Sequence, residues 1–506
     1  MRSKRALINT IYGLLYEAIA LICGMILPRL ILGTFGSDYN GITNSITQFL
    51  SVVSLLRAGI GGVTKAALYK PLADGDTIQI SRVVKATELF LRKVALIFGI
   101  CLVAFACIYP AFVNKEFDWF FSFSLVLILG ISTIAQYQFG LTYILLLNAA
   151  QRNGVVSLIQ IFTTILNTIV AAILIKAGGG IHIVKLGSAL VYAMNPIVIN
   201  LYAKRKFKII KDVEPDNESI SQRWDAFAHQ VAYFVNTNTD IMVLTWFATL
   251  KDVSIYSVYY LVINGITIVV RNSIQSVSAA FGDMLAKKEV KLLQINFDAF
   301  ETLTASISTV LFGTTLVMIV PFITLYTEGI ADANYIQPLF ALLITIAGFF
   351  NCMRVPYQNL VEAAGHFKQT KYGAYFEATM NICISVVCVF KFGLVGVAIG
   401  TVCATVFRTI QFSVYMCKNI VKRSYWKVVK SLLSSIGIIV IAYLINEVFP
   451  SVTYSSYGDW VLIAIRTVLI IGGLVCINDA VLFRSSTRTI LNKARGIFAH
   501  EKGKGQ

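Results

Sequence analysis

Fourteen apolar stretches, each near the ~20 residues a helix needs to cross a bilayer, constrain this chain more than any other feature. They run approximately over 6–32, 41–64, 91–113, 119–147, 155–175, 183–203, 226–249, 253–282, 299–326, 335–361, 370–390, 393–417, 428–449 and 460–483. Backbone N–H and C=O groups inside hydrocarbon must be satisfied within the segment, so each block is read as a helix. Of the 506 residues, 57% are hydrophobic and 14% charged; a soluble chain carries roughly 25% charged residues. The expected fold is therefore an all-α membrane protein of about 14 transmembrane helices. Met1–Arg5 is basic, and the apolar stretch behind it is too long for a signal-peptide core. It is expected to be the first membrane helix.

The basic residues orient the helices. With the N-terminus inside, the cytoplasmic segments and the helix ends flanking them hold 32 of the 43 Lys and Arg. The external loops hold five: Lys115, Lys176, Lys185, Lys251 and Lys391. This is the positive-inside distribution, and it predicts an N-in/C-in topology. The acidic segment Thr327 to Asp332 then reads as external. The formal charge of +17 follows from these loops, and no nucleic-acid partner is expected.

The longest basic connection, 204–223, begins Lys204-Arg-Lys-Phe-Lys208 and runs through Pro215 and Asn217. It is expected to be a cytoplasmic linker between two pseudo-symmetric six-helix lobes, 1–203 and 224–418. Helices 13 and 14 (419–483) would follow as an appendix, and a basic cytoplasmic tail (484–506) would close the chain. A weak internal repeat supports this: Arg57 lies 16 residues after Gly41, and Arg271 lies 15 after Tyr256. Each arginine falls in the second helix of its lobe, as in the parallel repeats of transporters.

Six arginines remain inside the blocks: Arg29, Arg57, Arg271, Arg354, Arg408 and Arg466. An arginine at the bilayer centre costs at least ~2.5–3.5 kcal/mol on insertion scales, so it faces a wet cavity or a partner. On the eighth block, Tyr260, Asn264, Thr267, Gln275 and Ser278 share a face with Arg271, opposite Ile, Val and Leu. Lipid cannot satisfy such a stripe. It would line a hydrated cavity or hydrogen-bond to a neighbouring helix. The second block places Thr43, Thr47, Ser54, Arg57 and Gly61 on one face; Asn351, Arg354 and Gln358, and Thr401, Thr405, Arg408 and Gln411, stack on two others. The alternative for each arginine is snorkelling to the interface. A cavity lined by permanent guanidinium charge would attract an anion, phosphate or pyrophosphate above all. The candidate substrate-binding residues are Arg29, Arg57, Arg271, Asn264, Gln275, Arg354 and Arg408.

Glu17, Asp240 and Glu377 place carboxylates inside blocks, with Asn381 one turn beyond Glu377. Such a group could hold Na⁺, exchange a proton, or pair with an arginine. Nine cysteines are scattered without a Cys-x-x-Cys pair, and His182, His229, His366 and His500 lack metal spacing. No phosphate-cradling Gly-x-x-x-x-Gly-Lys motif occurs. No enzymatic activity, cofactor or firmly assigned metal is expected. Gly396-Val-Ala-Ile-Gly400 has the small-xxx-small spacing of helix packing.

The opening stretch Leu27-Pro-Arg-Leu-Ile-Leu-Gly-Thr-Phe-Gly-Ser-Asp-Tyr-Asn-Gly41, with Arg57-Ala-Gly59 and Lys70-Pro-Leu-Ala-Asp74, resembles the polysaccharide-transporter branch of the multidrug/oligosaccharidyl-lipid/polysaccharide exporter superfamily. It is similar to Wzx-type flippases of O-antigen and capsule repeat units. The topological likeness spans roughly 1–483, and the motif likeness 1–90. The resemblance implies alternating access and transfer of an undecaprenyl-pyrophosphate-linked oligosaccharide from the inner to the outer leaflet of a bacterial plasma membrane. Polysaccharide polymerase and assembly proteins are implied partners beside the bilayer. Related lipid II flippases keep functional arginines on helices one, two and eight, where Arg29, Arg57 and Arg271 fall. Their sodium site on helices seven, eleven and twelve would fall near Asp240, Glu377, Asn381 and Thr401. Here acid and amide stand in the reverse order at 377 and 381, which leaves Na⁺ and H⁺ coupling both open. Alternative readings are a lipid II flippase, a multidrug cation exporter on the same scaffold, and a non-transporting scaffold for polysaccharide assembly.

Overall fold

The computed structural model describes residues 2–51, 54–113, 116–210, 212–221, 238–274, 278–448 and 456–502. The described residues are 88% helix, and no strand occurs among them. Twelve helices there are long and apolar enough to cross a membrane. Two of the fourteen expected spans are not among them. The second falls on α2 (Ser37–Leu50) and α3 (Ser54–Asp74), with 52–53 between them outside the described residues. The first of these is short, and the second carries Arg57, Lys65, Lys70 and Asp74. Half of the seventh, 226–249, falls on 222–237, outside the described residues; its remainder holds the helical run 238–247, here α8.

By internal contacts the chain forms two compact units, Met1–Ser257 with Gly329–Ala333, and Val258–Glu328 with Asn334–Gln506. The first contains α1 (Arg2–Phe35), α2, α3, α4 (Thr77–Ile108), α5 (Trp119–Ala149, with a π turn at Gln136–Gly140), α6 (Asn153–Lys176) and α7 (Ile181–Phe207). Here α1 packs on α6, α6 on α7 and α4 on α5. One core joins Leu68, Val83, Val84, Tyr143, Leu146, Leu147 and Ile199. Along α4 the buried face (Val94, Phe98, Leu102) backs onto an exposed one (Leu96, Ile100, Val103). An apolar exposed face is costly in water and is what a lipid-facing helix presents.

The acidic segment after Tyr326 has a structural task in this unit. Asp332 caps the start of α2, accepting from the Ser37 amide at 2.6 Å and the Ser37 hydroxyl at 2.7 Å. Lys251 Nζ donates to the Asp332 carbonyl at 3.0 Å and approaches Asp38 at 3.8 Å. Burial pushes the Asp38 carboxyl above its usual value; Lys251 opposes the rise, and Asp332 adds to it.

The second unit is organised around α11 (Val290–Tyr326), a 37-residue helix carrying α12 (Pro338–Ala363), α15 (Trp426–Val448), α16 (Tyr457–Leu482) and α17 (Arg484–Lys502). It also holds most of α9 (Leu250–Ile274), α10 (Ser278–Ala286), α13 (Phe367–Phe392) and α14 (Leu394–Asn419). The α13–α14 hairpin closes on glycine. A Cβ on Gly396 would stand 2.4 Å from the Cys388 backbone, and one on Gly400 2.1 Å from Ser385 Oγ. The small-xxx-small spacing is thus a helix crossing.

Candidate functional site

Within the second unit, α12, α13 and α14 bring three charged side chains to one point. Pro356 removes an amide from the helical ladder and crowds the carbonyl four residues back. The helix accordingly breaks into Pro338–Met353 and Val355–Ala363, with Arg354 at the turn between them. Arg354 Nη1 donates to Glu377 Oε1 of α13 at 2.6 Å. Arg408 Nε of α14 stands 3.3 Å from Glu377 Oε2. Arg408 also donates to the Thr370 carbonyl at 3.0 Å and to Gln411, and it lies 4.0 Å over the Phe412 ring. Arg354, Arg408 and Glu377 are 6%, 7% and 3% exposed.

Two guanidiniums share one carboxylate, so this buried cluster carries a net charge of +1. A buried cation is tolerated when paired and hydrogen-bonded. Glu377 supplies the pairing, while Arg354 Nε has no hydrogen-bond partner among the described residues. The positive surplus continues to Arg271, whose Nη2 donates to Asn351 Oδ1 at 3.1 Å. Asn351 precedes Arg354 by three residues on the same helix, which places it one turn away. Arg271 Nε is likewise buried without a partner among the described residues. The arrangement can hold an anion: it has excess positive charge and unspent N–H donors, and Glu377 already fills one anionic position.

The remaining expected site residues distribute as follows. Asn264 is half-buried on α9, one turn from the buried Thr267. Asn381 is buried and accepts from Ser385 Oγ at 3.0 Å. Thr401 donates to the Val397 carbonyl at 3.1 Å. All of these belong to the second unit. Asp240 belongs to the first, where it is buried and accepts from the Tyr256 hydroxyl at 2.8 Å. Arg29, also in the first, is half-buried on α1 with Nη1 against Gly33. The Arg57 side chain and all of Gln275 lie outside what the structure describes. Arg466 reaches Asn446 at 3.2 Å, joining α16 to α15.

A second buried charge network was not anticipated from sequence. Arg423, in the connection after α14, pairs with Glu301 at 2.6 Å and with Asp298, both on α11. Lys427 pairs with Asp298 at 2.6 Å, and the Tyr357 hydroxyl donates to Glu301 at 2.7 Å. Burial lowers the Arg423 pKa, but Glu301 and Asp298 outweigh it and hold the group above its usual value. Four opposite charges cancel here, so this network ties helices rather than offering charge to a ligand. Glu301 lay within an apolar block, and its position inside that block was the available signal.

No family model matches the sequence, and no curated protein matches it. Solved structures do share the fold. A lipid II flippase, MurJ, in an inward closed conformation, is 16% identical with a TM-score of 0.68, over 92% of this chain and 98% of its own. An inward-facing multidrug resistance MATE family transporter is 13% identical with a TM-score of 0.55, over 81% and 98%. The MATE multidrug transporter DinF-BH is 14% identical with a TM-score of 0.56, over 82% and 94%. At these identities the likeness establishes the fold: a multi-pass membrane protein with the architecture of flippases and exporters.

Proposed function

We propose that the protein is a flippase that moves undecaprenyl-pyrophosphate-linked oligosaccharide repeat units from the inner to the outer leaflet of a bacterial plasma membrane by alternating access. The observation that carries this reading is the positive surplus of the buried Arg354 and Arg408 and the half-buried Arg271 against one buried carboxylate, Glu377. A cation exporter would need the opposite balance. A diphosphate presents paired oxygens to guanidinium forks, and each charge-assisted contact in a dry site is worth more than in water. Glu377 would act as the resident counter-ion, keeping the guanidiniums neutralised between cycles and yielding its place to the substrate's phosphate. The polyprenyl tail remains in lipid. In the N-in/C-in topology the membrane potential or an ion gradient would drive the cycle; one charge crossing 100 mV is worth about 2.3 kcal/mol. A polysaccharide polymerase and assembly proteins would receive the product.

A lipid II substrate is the second reading, favoured by the fold likeness to a lipid II flippase over 92% of the chain. Both readings are tested in proteoliposomes holding fluorescent undecaprenyl-pyrophosphate-oligosaccharide or lipid II, with leaflet transfer measured by quenching. Arg271→Ala and Arg57→Ala are expected to reduce transfer of the true substrate at least tenfold with the protein still folded. Undiminished transfer by both variants refutes the cationic route. No transfer of either lipid by the wild type refutes the flippase.

A further inference from the structure

Away from the arginine cluster, α11, α15 and α16 border a small, partly open cavity of about 10 Å³, about the room one water-sized guest needs. Its wall includes Thr302, Ser306 and Thr309 of α11, Ser431, Ser434 and Ser435 of α15, and Asn478 and Asp479 of α16. The Asp479 carboxylate accepts from Ser306 Oγ at 2.6 Å and from Asn478 Nδ2 at 3.2 Å. Among the described residues no cationic side chain pairs with it. Asp479 lies in the last turn of α16, where the helix dipole presents its negative end, so a bare carboxylate there is doubly disfavoured.

The hydroxyls around it present lone pairs. Thr302, Thr309 and Ser434 donate their protons to carbonyls of the preceding turn, at 2.8, 2.7 and 3.0 Å. Their remaining valence accepts only. Ser431 and Ser435 are each 4% exposed and line the same cavity.

We propose that this cavity binds a single monovalent cation of sodium size, held by the Asp479 carboxylate and the surrounding hydroxyl and amide oxygens. The donor set is all oxygen, which suits a hard cation. It carries one negative charge, so one monovalent ion is neutralised, whereas a divalent ion would leave an uncompensated buried charge. The cavity admits about one water-sized guest, so a bare ion fits and a hydrated one does not; the charge-dense carboxylate oxygen favours sodium, the smaller and harder ion, over potassium. The ion would clasp the C-terminal helix pair to α11. The site is separate from Glu377, and the proposal does not rest on the flippase reading.

The test is thermal unfolding of the purified full-length protein in detergent, with NaCl, KCl or choline chloride at equal ionic strength. NaCl is expected to raise the unfolding temperature saturably and more than KCl. Asp479→Asn is expected to abolish the response, Ser431→Ala with Ser435→Ala to move its midpoint several-fold to higher sodium, and Glu377→Gln to leave it in place. Identical unfolding in NaCl and choline chloride refutes the proposal and leaves the cavity to water. A sodium response that survives Asp479→Asn refutes it too, as does one lost in Glu377→Gln, which would place the ion at Glu377. If Asp479→Asn does not fold, the serine pair decides: an unmoved midpoint overturns the site.

Discussion

Replacing Glu377 with Gln keeps the side-chain shape and removes the one negative charge between Arg354 and Arg408. Those side chains are 7% and 8% exposed, so solvent cannot take over the neutralisation. Unit charges 4 Å apart attract by about 4 kcal/mol at an effective dielectric of 20. Glu377 contacts the two guanidiniums at 2.6 and 3.3 Å. Stripping one partner from a buried ion pair costs ~3–5 kcal/mol, and here two like charges are left facing each other. Arg408→Gln acts differently. It forfeits the bond to the Thr370 carbonyl but leaves Glu377 and Arg354 as a neutral pair, for a net loss of ~1–2 kcal/mol. With about 2 °C per kcal/mol for a large unit, Glu377→Gln should unfold roughly 6–10 °C early and Arg408→Gln no more than about 4 °C early. The double variant leaves one cation instead of two and should recover part of the Glu377→Gln loss. Thermal unfolding followed by size-exclusion in detergent measures all three. Equal losses in the two single variants, or a double variant weaker than Glu377→Gln, would refute the charge count on which the site is built.

Arg423→Met should destabilise the second unit by ~3–5 kcal/mol by leaving Glu301 and Asp298 without their main partner, and Glu301→Gln in the same background should restore part of it; unfolding temperature reads both. Asp332→Ala removes the oxygens that cap α2 and should cost ~1–2 kcal/mol, with Ser37→Ala adding little to it, as a double-mutant cycle in the same assay would show. Asp38 has a folded pKa above its ordinary 3.8. The folded protein therefore holds the proton more tightly, and stability falls as pH rises from 3.8 towards that raised value, being greatest below it. Asp38→Asn should flatten that fall and raise the unfolding temperature above the window; an unchanged pH profile would count against the burial of this carboxyl. Gly400→Leu should block the α13–α14 crossing and abolish monodisperse protein, whereas Gly437→Leu, with open space around it, should not.

Much of this molecule was legible before folding. Block length and charge count specified a helical membrane protein, because hydrocarbon leaves the backbone no other solution over such lengths. The 3.6-residue period placed Arg271, Asn264 and Thr267 on one face, and the Gly396–Gly400 spacing marked a close crossing. Periodicity stops at the single helix. It left Glu377 open between an ion and an arginine, and only the packing of α12, α13 and α14 brought Arg354 and Arg408 to it from 23 residues before and 31 after in the sequence. The same limit hid the Asp332 cap, 295 residues from Ser37, and the meeting of Ser306 with Asp479 across 173. Apolarity and period are properties of neighbours along the chain and are written in its order. Which buried charge finds which counter-charge depends on helix crossings and breaks, such as the one at Pro356, and those are set by the whole unit at once.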